Sequence, residues 1–217
     1  MPQNSMQVMA KLKTPLIAGT VYHIYNRGIN GENIFRKHDN YIYFLSLYAK
    51  YCEPVAETFA YCLLGNHFHF LVRIKDDLPT YASLYPRLPQ TPKSKQTVAP
   101  YRQFSHFFNA YAQSFNKIFN RTGSLFEENF QRKIVDSPRY FTQLIQYIHF
   151  NPQKHGFVTD FREYPYSSYH SHLSTKATRL KRAVVHDWFG SAKDFEAFHI
   201  TNPIDEKLLS PYLIEFD

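Results

Sequence analysis

Aromatic and β-branched residues crowd the stretch TVYHIYNRG at 20–28, which closes on Gly28, and the pattern predicts a strand that feeds a turn. Between residues 38 and 52 the period lengthens. Ile42, Leu45 and the pair Tyr48 and Ala49 recur at helical spacing, with Asp39 placed as a cap, so HDNYIYFLSLYAKYC predicts a helix. VAETFAYCLL at 55–64 runs into GN and then HFHFLVRI, which predicts two strands joined at Gly65 and Asn66. Prolines 79, 86, 89, 92 and 100, with Arg87, Lys93 and Lys95 among them, make residues 76–100 a basic, mobile loop rather than an element. A long helical pattern covers 101–123. It sets Phe104, Phe107, Phe108, Tyr111, Phe115, Ile118 and Phe119 on one side and stops at Gly123. QRKIVDS at 131–137 predicts a short strand. Ser137 then caps a helix through PRYFTQLIQYIHFN, with Pro138 at its first position and Asn151 and Pro152 at its end.

The order β-α-β-β-α-β-α is that of an α+β fold, a ferredoxin-like split βαβ antiparallel sheet with one additional helix toward the C-terminus. Residues 1–19 read as an N-terminal tail, 20–175 as the principal domain, and 176–217 as an extension packed on it, with a short helix around 191–199. A length of 217 residues suits a single core.

Hydrophobic residues make up 44% of the chain against 20% charged, with 20 phenylalanines and 17 tyrosines, which excludes a disordered tail. The formal charge of +7 favours a polyanionic partner. Cys52 and Cys62, in a chain without a signal-like leader, read as free thiols in a reducing compartment. No run of 18 apolar residues occurs, so the expectation is a cytoplasmic protein with no membrane partner.

The stretch GNHFHFLVR at 65–73 carries the chemistry. On a strand, His67 and His69 share one face while Phe68 and Phe70 share the other. Same-face neighbours lie roughly 7 Å apart, a span that two imidazoles close onto a metal ion; two solvent-facing surface histidines would give the same pattern. Tyr147 and Asn151, four residues apart, share a face of the last helix, so that a hydroxyl and an amide oxygen could complete such a site. Equally, Tyr147 is one more amphipathic position and Asn151 a helix stop before Pro152.

Five stretches in order, YHIYNRG, GNHFHFLV, FNKIFNRTGSLFEENF, YIHFNPQKHGFV and YPYSSYHSHL, resemble the REP-associated tyrosine transposases, relatives of the single-tyrosine HUH transposases, where HUH is His, hydrophobic residue, His. The resemblance spans about residues 20–200. It implies a metal-dependent single-strand DNA endonuclease and strand transferase that works through a 5′-phosphotyrosine. Carried over, His67 and His69 are metal ligands, Tyr147 is the nucleophile and Asn151 the third ligand, with Mg2+ or Mn2+ as the cofactor. The partner implied is hairpin-bearing single-stranded DNA, such as a repetitive extragenic palindrome, bound by a monomer or homodimer. Arg27, Arg73, Arg121, Arg132, Lys133 and Lys154 are its candidate phosphate contacts. His23 belongs to a strand expected beside the histidine pair, and His149 lies on a different helix face from Tyr147; no general base stands out. Other readings of the same residues are a replication-initiator-like HUH nickase and a domesticated, non-catalytic nucleic-acid-binding module.

Overall fold

Four strands carry the molecule: β1 (Val21–Arg27), β2 (Ala56–Leu64), β3 (His67–Ile74) and β4 (Gln131–Ile134), paired antiparallel in the order β2-β3-β1-β4. This is the expected α+β, ferredoxin-like arrangement. The computed structural model describes residues 14–210 apart from 88 and 128, so most of the expected N-terminal tail and residues 211–217 lie outside the described residues. Leu64 pairs with His67, which makes Gly65 and Asn66 the two-residue connection.

Alternation decides what each face buries. Ile24, Phe68, Phe70 and Val72 point to one side and are covered by α1 (His38–Tyr51) and α3 (Pro100–Ile118). Phe44 of α1 and Phe107 of α3 meet there with ring centroids 4.6 Å apart. The other side is covered by α4 (Pro138–Lys154), whose Leu144, Ile145 and Ile148 pack on Ala60, Cys62 and Leu71.

Several local expectations are corrected. Asp39 does not cap α1; the Asn40 side-chain oxygen accepts from the backbone N–H of Arg36 and Lys37, both at 3.0 Å. α3 ends at Ile118, five residues before Gly123, because Asn120 takes a left-handed φ of 49° that an α-helix cannot continue through. Ile118 is 61% exposed rather than part of the core. α4 runs through Pro152 to Lys154. A proline in the final turn forfeits one N–H bond, and the following turn closes regardless through His155 N–H to Asn151 O (3.0 Å) and Phe157 N–H to Pro152 O (2.8 Å). Residues 76–100 are more built than a loop: α2 (Tyr81–Leu84) is capped by Thr80, and Val98 and Ser94 are buried. Cys52 and Cys62 are separate buried thiols.

Beyond α4, the chain folds back over β2. Ser168 N–H donates to Tyr61 O (2.9 Å), Lys181 N–H to Thr58 O (2.9 Å), and Leu63 N–H to Tyr166 O (3.0 Å), which covers the edge of that strand. The short helices α5 (Tyr169–Leu173), α6 (Arg182–Phe189), α7 (Ala192–Thr201) and α8 (Glu206–Leu209) follow, and Val185, Phe195 and Leu209 are fully buried against the α4 layer. Among the described residues no helix is long and apolar enough to cross a membrane.

Candidate functional site

His67 and His69 project toward α4, as the strand period requires, but not into solvent. Each is 2% exposed, because α4 lies over them. α4 is fixed on its outer side by a ladder of buried polar residues three apart. Gln143 accepts from Asp205 N–H (2.8 Å), Gln146 donates to Asn202 O (2.6 Å), and His149 bonds His199 (2.9 Å) and Ser168 (2.7 Å). So held, α4 presents Tyr147 and Asn151 to the histidine pair. The rings of His67 and His69 are 5.2 Å apart, and those of His69 and Tyr147 5.9 Å. Tyr147 is 2% exposed and Asn151 fully buried.

The hydrogen bonds fix which atoms face inward. Asn66 Oδ1 only accepts, so His67 donates from Nδ1 (2.7 Å) and keeps its ring lone pair on Nε2. His69 Nδ1 is bonded to His23 Nε2 at 2.9 Å, and His69 Nε2 is buried without a hydrogen-bond partner. Asn151 spends its Nδ2 on Tyr147 O (2.8 Å), which leaves the buried Oδ1 without a partner. Burial, more than any neighbouring charge, holds the pKa values of His67 and His69 well below the usual imidazole range and lowers that of His23 to about 3. Neutral imidazoles are the form that binds a cation. Among the described residues no group of three or more His, Cys, Asp or Glu is placed to hold a metal ion, so a cation here would rest on two imidazoles and the Asn151 carboxamide.

His23 lies on β1, the strand beside β3 as expected, and its ring stacks on that of His69 with centroids 5.1 Å apart. His149 faces away from the site, toward Ser168 and His199. His155, at the end of α4, was not singled out by sequence reasoning, although its ring lies 5.1 Å from that of His67. The signal was present: 147, 151 and 155 are successive steps of four along one helix face.

The six candidate phosphate contacts do not form one patch. Arg27 lies opposite His67 and pairs with Glu127. Arg73 is at the far end of β3, between Glu57 and Asp76. Arg121 is held by Glu32 at 2.9 Å. Lys133 pairs with His23 across β1 and β4, on the site's face, while Arg132 points to the opposite face, its guanidinium 4.9 Å from the Phe130 ring centre. Lys154 stands 5.5 Å over the Tyr147 ring and 3.9 Å from Glu206. Arg27, Lys133 and Lys154 are thus near the histidines; Arg73, Arg121 and Arg132 are not grouped with them.

No protein-family model matches the chain. A Haemophilus influenzae protein provisionally named a REP-associated tyrosine transposase is 29% identical over 128 residues, which are 58% of this chain and 67% of that protein. A solved REP-associated tyrosine transposase bound to a REP hairpin superposes with a TM-score of 0.54 and 15% identity, over 77% of this chain and 87% of that one. The structural likeness shows the fold, that of an α+β protein, and the sequence likeness supplies the kinship. The chain is a homologue of the REP-associated tyrosine transposases, as its motifs indicated.

Proposed function

We propose that this protein is a divalent-metal-dependent single-strand DNA endonuclease and strand transferase that acts on hairpin-bearing DNA. One observation carries the reading: Tyr147 packs against His69 while the unpartnered His69 Nε2 and Asn151 Oδ1 are buried at the same place. A buried polar atom without a partner is costly, and a ligand that completes it explains its retention. His67, His69 and Asn151 would hold Mg2+ or Mn2+, with His23 orienting His69 through its second nitrogen as outer-shell partners do. When bound, the ion would withdraw charge from the scissile phosphate. Tyr147 Oη attacks phosphorus, the bond to the 3′ oxygen breaks, and the strand is left with a free 3′-hydroxyl and a 5′-phosphate esterified to Tyr147. The phenol gives up one proton and the departing oxygen takes one up, so a 3′-hydroxyl can reverse the step without an energy source. The REP hairpin on the solved relative supports a hairpin as the DNA substrate class here.

A second observation favours the non-catalytic binding module. Tyr147, His67, His69 and Asn151 are all at most 2% exposed, so a phosphate reaches them only when the end of α4 lifts from β3. Covalent capture separates the readings. Hairpin-bearing oligonucleotides with Mn2+ should give a protein–DNA adduct on a denaturing gel, and Tyr147→Phe should bind the same DNA and give none. An undiminished adduct in the variant places the nucleophile elsewhere; no adduct from the parent on any hairpin leaves the binding module.

A further inference from the structure

Between 78 and 126 the chain carries six cations, Arg87, Lys93, Lys95, Arg102, Lys117 and Arg121, and no aspartate or glutamate, against a formal charge of +7 for all 217 residues. The charge is concentrated. Four of the six, Arg87, Lys93, Lys95 and Arg102, are exposed and belong to one small unit that joins the end of β3 to the start of α3. Among the described residues none of these four forms an ion pair, whereas Arg27, Arg73, Arg121 and Lys154 are each held by a carboxylate.

The unit is built, not slack. Ser94 is buried, and its hydroxyl accepts from Thr91 N–H (3.0 Å) and donates to Thr91 O (2.9 Å), which closes a turn that leaves Lys93 and Lys95 exposed on either side. That turn is stitched to residues 79–82: Ala82 N–H donates to Ser94 O (2.7 Å), Tyr81 N–H to Gln96 O (3.1 Å), and Val98 N–H to Pro79 O (2.9 Å). Tyr81 and Leu84 anchor the unit on the apolar core under α1 and α3, and Tyr85 Oη donates to Gln103 Oε1 (3.2 Å). Arg102 sits in the first turn of α3, where the helix dipole disfavours a cation and no acidic residue offsets it; its side chain donates to the neutral Tyr101 hydroxyl (3.1 Å). A fixed cluster of like charges is unfavourable until an anion comes to it.

Placement separates this cluster from the histidines twice over. β3 starts at His67 and ends at Ile74, so the unit that follows lies about the length of that strand, roughly 23 Å, from His67. It also lies on the α1 and α3 side of the sheet, whereas Tyr147 lies on the α4 side. A duplex keeps its direction over about 150 base pairs, so a hairpin stem seated at α4 does not bend round the sheet to reach it. Fixed cations without carboxylate partners suit phosphates, whatever the sequence that carries them. Among the described residues of 79–102, Tyr101 is the one large hydrophobic side chain that is exposed, which gives unpaired bases little to stack on and favours a duplex over a single strand. We propose that Arg87, Lys93, Lys95 and Arg102 form a docking surface for the phosphate backbone of a second DNA segment, a duplex that the protein holds while a hairpin occupies the Tyr147 site. The proposal rests on the DNA-processing reading above and adds to it a sequence-independent duplex site at the opposite end of the sheet.

The test follows a labelled blunt duplex of unrelated sequence, about two helical turns long, by fluorescence anisotropy, with the protein alone and with protein already carrying one equivalent of hairpin. Both should bind it alike, and affinity should fall with salt at a log–log slope of roughly −3 to −4, as four phosphate contacts require. Arg87→Gln, Lys93→Gln, Lys95→Gln and Arg102→Gln combined should cut duplex affinity roughly tenfold or more and remove most of that slope. The melting temperature and the hairpin affinity should stay as they are, since all four side chains are exposed and without ion pairs among the described residues. Lys93→Gln with Lys95→Gln alone should remove about half of the slope. Exclusion of the duplex by one equivalent of hairpin, a hairpin affinity that falls in step with that of the duplex, or a slope intact in the fourfold variant overturns the second site. An RNA duplex of equal length that binds more tightly overturns DNA as the partner. Adduct formation by a parent that binds no duplex sinks the surface alone; duplex docking by a parent that forms no adduct sinks only the cleavage reading.

Discussion

Beneath α1 and α3 the sheet offers Tyr22, Ile24, Phe68, Phe70 and Val72; beneath α4 the same two strands offer His23, Tyr25, His67 and His69. Both sets are buried. The first needs shape, and apart from Tyr22, whose hydroxyl donates to Pro15 O and accepts from Ile17 N–H, its side chains interlock without polar obligations. The second needs a partner for each imidazole nitrogen. A second histidine group, on the outer side of α4, shows what meeting that need looks like. His199 Nδ1 donates to Phe195 O (2.8 Å), so its Nε2 accepts from His149 Nδ1, and His149 Nε2 accepts from Ser168. That relay is closed and structural. The pair His67 and His69, on the opposite side of α4, leaves His69 Nε2 open. At the proposed site it is the unmet polar need of His69 Nε2 and Asn151 Oδ1, rather than histidine as such, that supports the reading.

Removing an interlocking ring from the apolar face should have the largest effect on folding. Phe107→Ala deletes a fully buried ring that packs on Phe44 and Phe108, and the expected loss is about 3–5 kcal/mol by denaturant unfolding. A loss under about 1 kcal/mol would mean that this face does not carry the stability assigned to it.

Acid should act on the other face. Burial lowers the His172 pKa to about 3 and the His199 pKa to about 4, with His149, His186 and Arg182 adding to the effect or facing these rings. Both are neutral in the folded state and protonate near 6.5 when unfolded. The unfolded chain therefore binds more protons below pH 6.5, and stability falls from there down to about pH 4 and 3. Between pH 7.5 and 5 the two rings should together cost on the order of 2–4 kcal/mol. Chemical denaturation at both pH values checks this; equal midpoints would place these rings in water.

Much of this contrast was legible in the chain. Strict alternation through HFHFLVRI separated the two faces, and helical spacing placed Phe107 in the core and Tyr147 beside Asn151. The enclosure of the site was not legible, because it depends on residues 182–210, whose short helices carry weak periodicity and whose role is to fasten α4 through Gln143, Gln146 and His149. The continuation of α4 past Pro152 was hidden for a related reason: propensity argues against it, and packing overrides propensity. The loop after α3 bends through the left-handed Asn120 and Asn129, a conformation no short-range pattern announces.

His69→Ala sharpens the comparison further. Were the ring solvent-facing, its removal would leave stability untouched. Because it is buried among His23, Tyr25 and Tyr147, the loss of packing and of the His23 bond should cost about 1–2 kcal/mol, less than Phe107→Ala, since an unpartnered nitrogen is removed as well. Mn2+ should raise the melting temperature of the parent and leave that of the variant unmoved. A variant that Mn2+ still stabilises to the same extent would take His69 out of the metal site.

Asn151→Ala should be the mildest change and the most discriminating. The carboxamide is a neutral, weak ligand, and its replacement leaves both imidazoles able to hold a cation, with water in the vacated position. It also removes the bond from Nδ2 to Tyr147 O, which is redundant with the helix's own ladder, so the melting temperature without metal should barely move. Calorimetric titration should then show weaker Mn2+ binding, and cleavage should fall but return in part as Mn2+ is raised. Tyr147→Phe should not be rescued at any concentration, because it removes the attacking oxygen and no ligand. If Asn151→Ala binds Mn2+ as tightly as the parent, its buried oxygen serves the helix alone. The third ligand would then be sought at His155, which already stands beside His67.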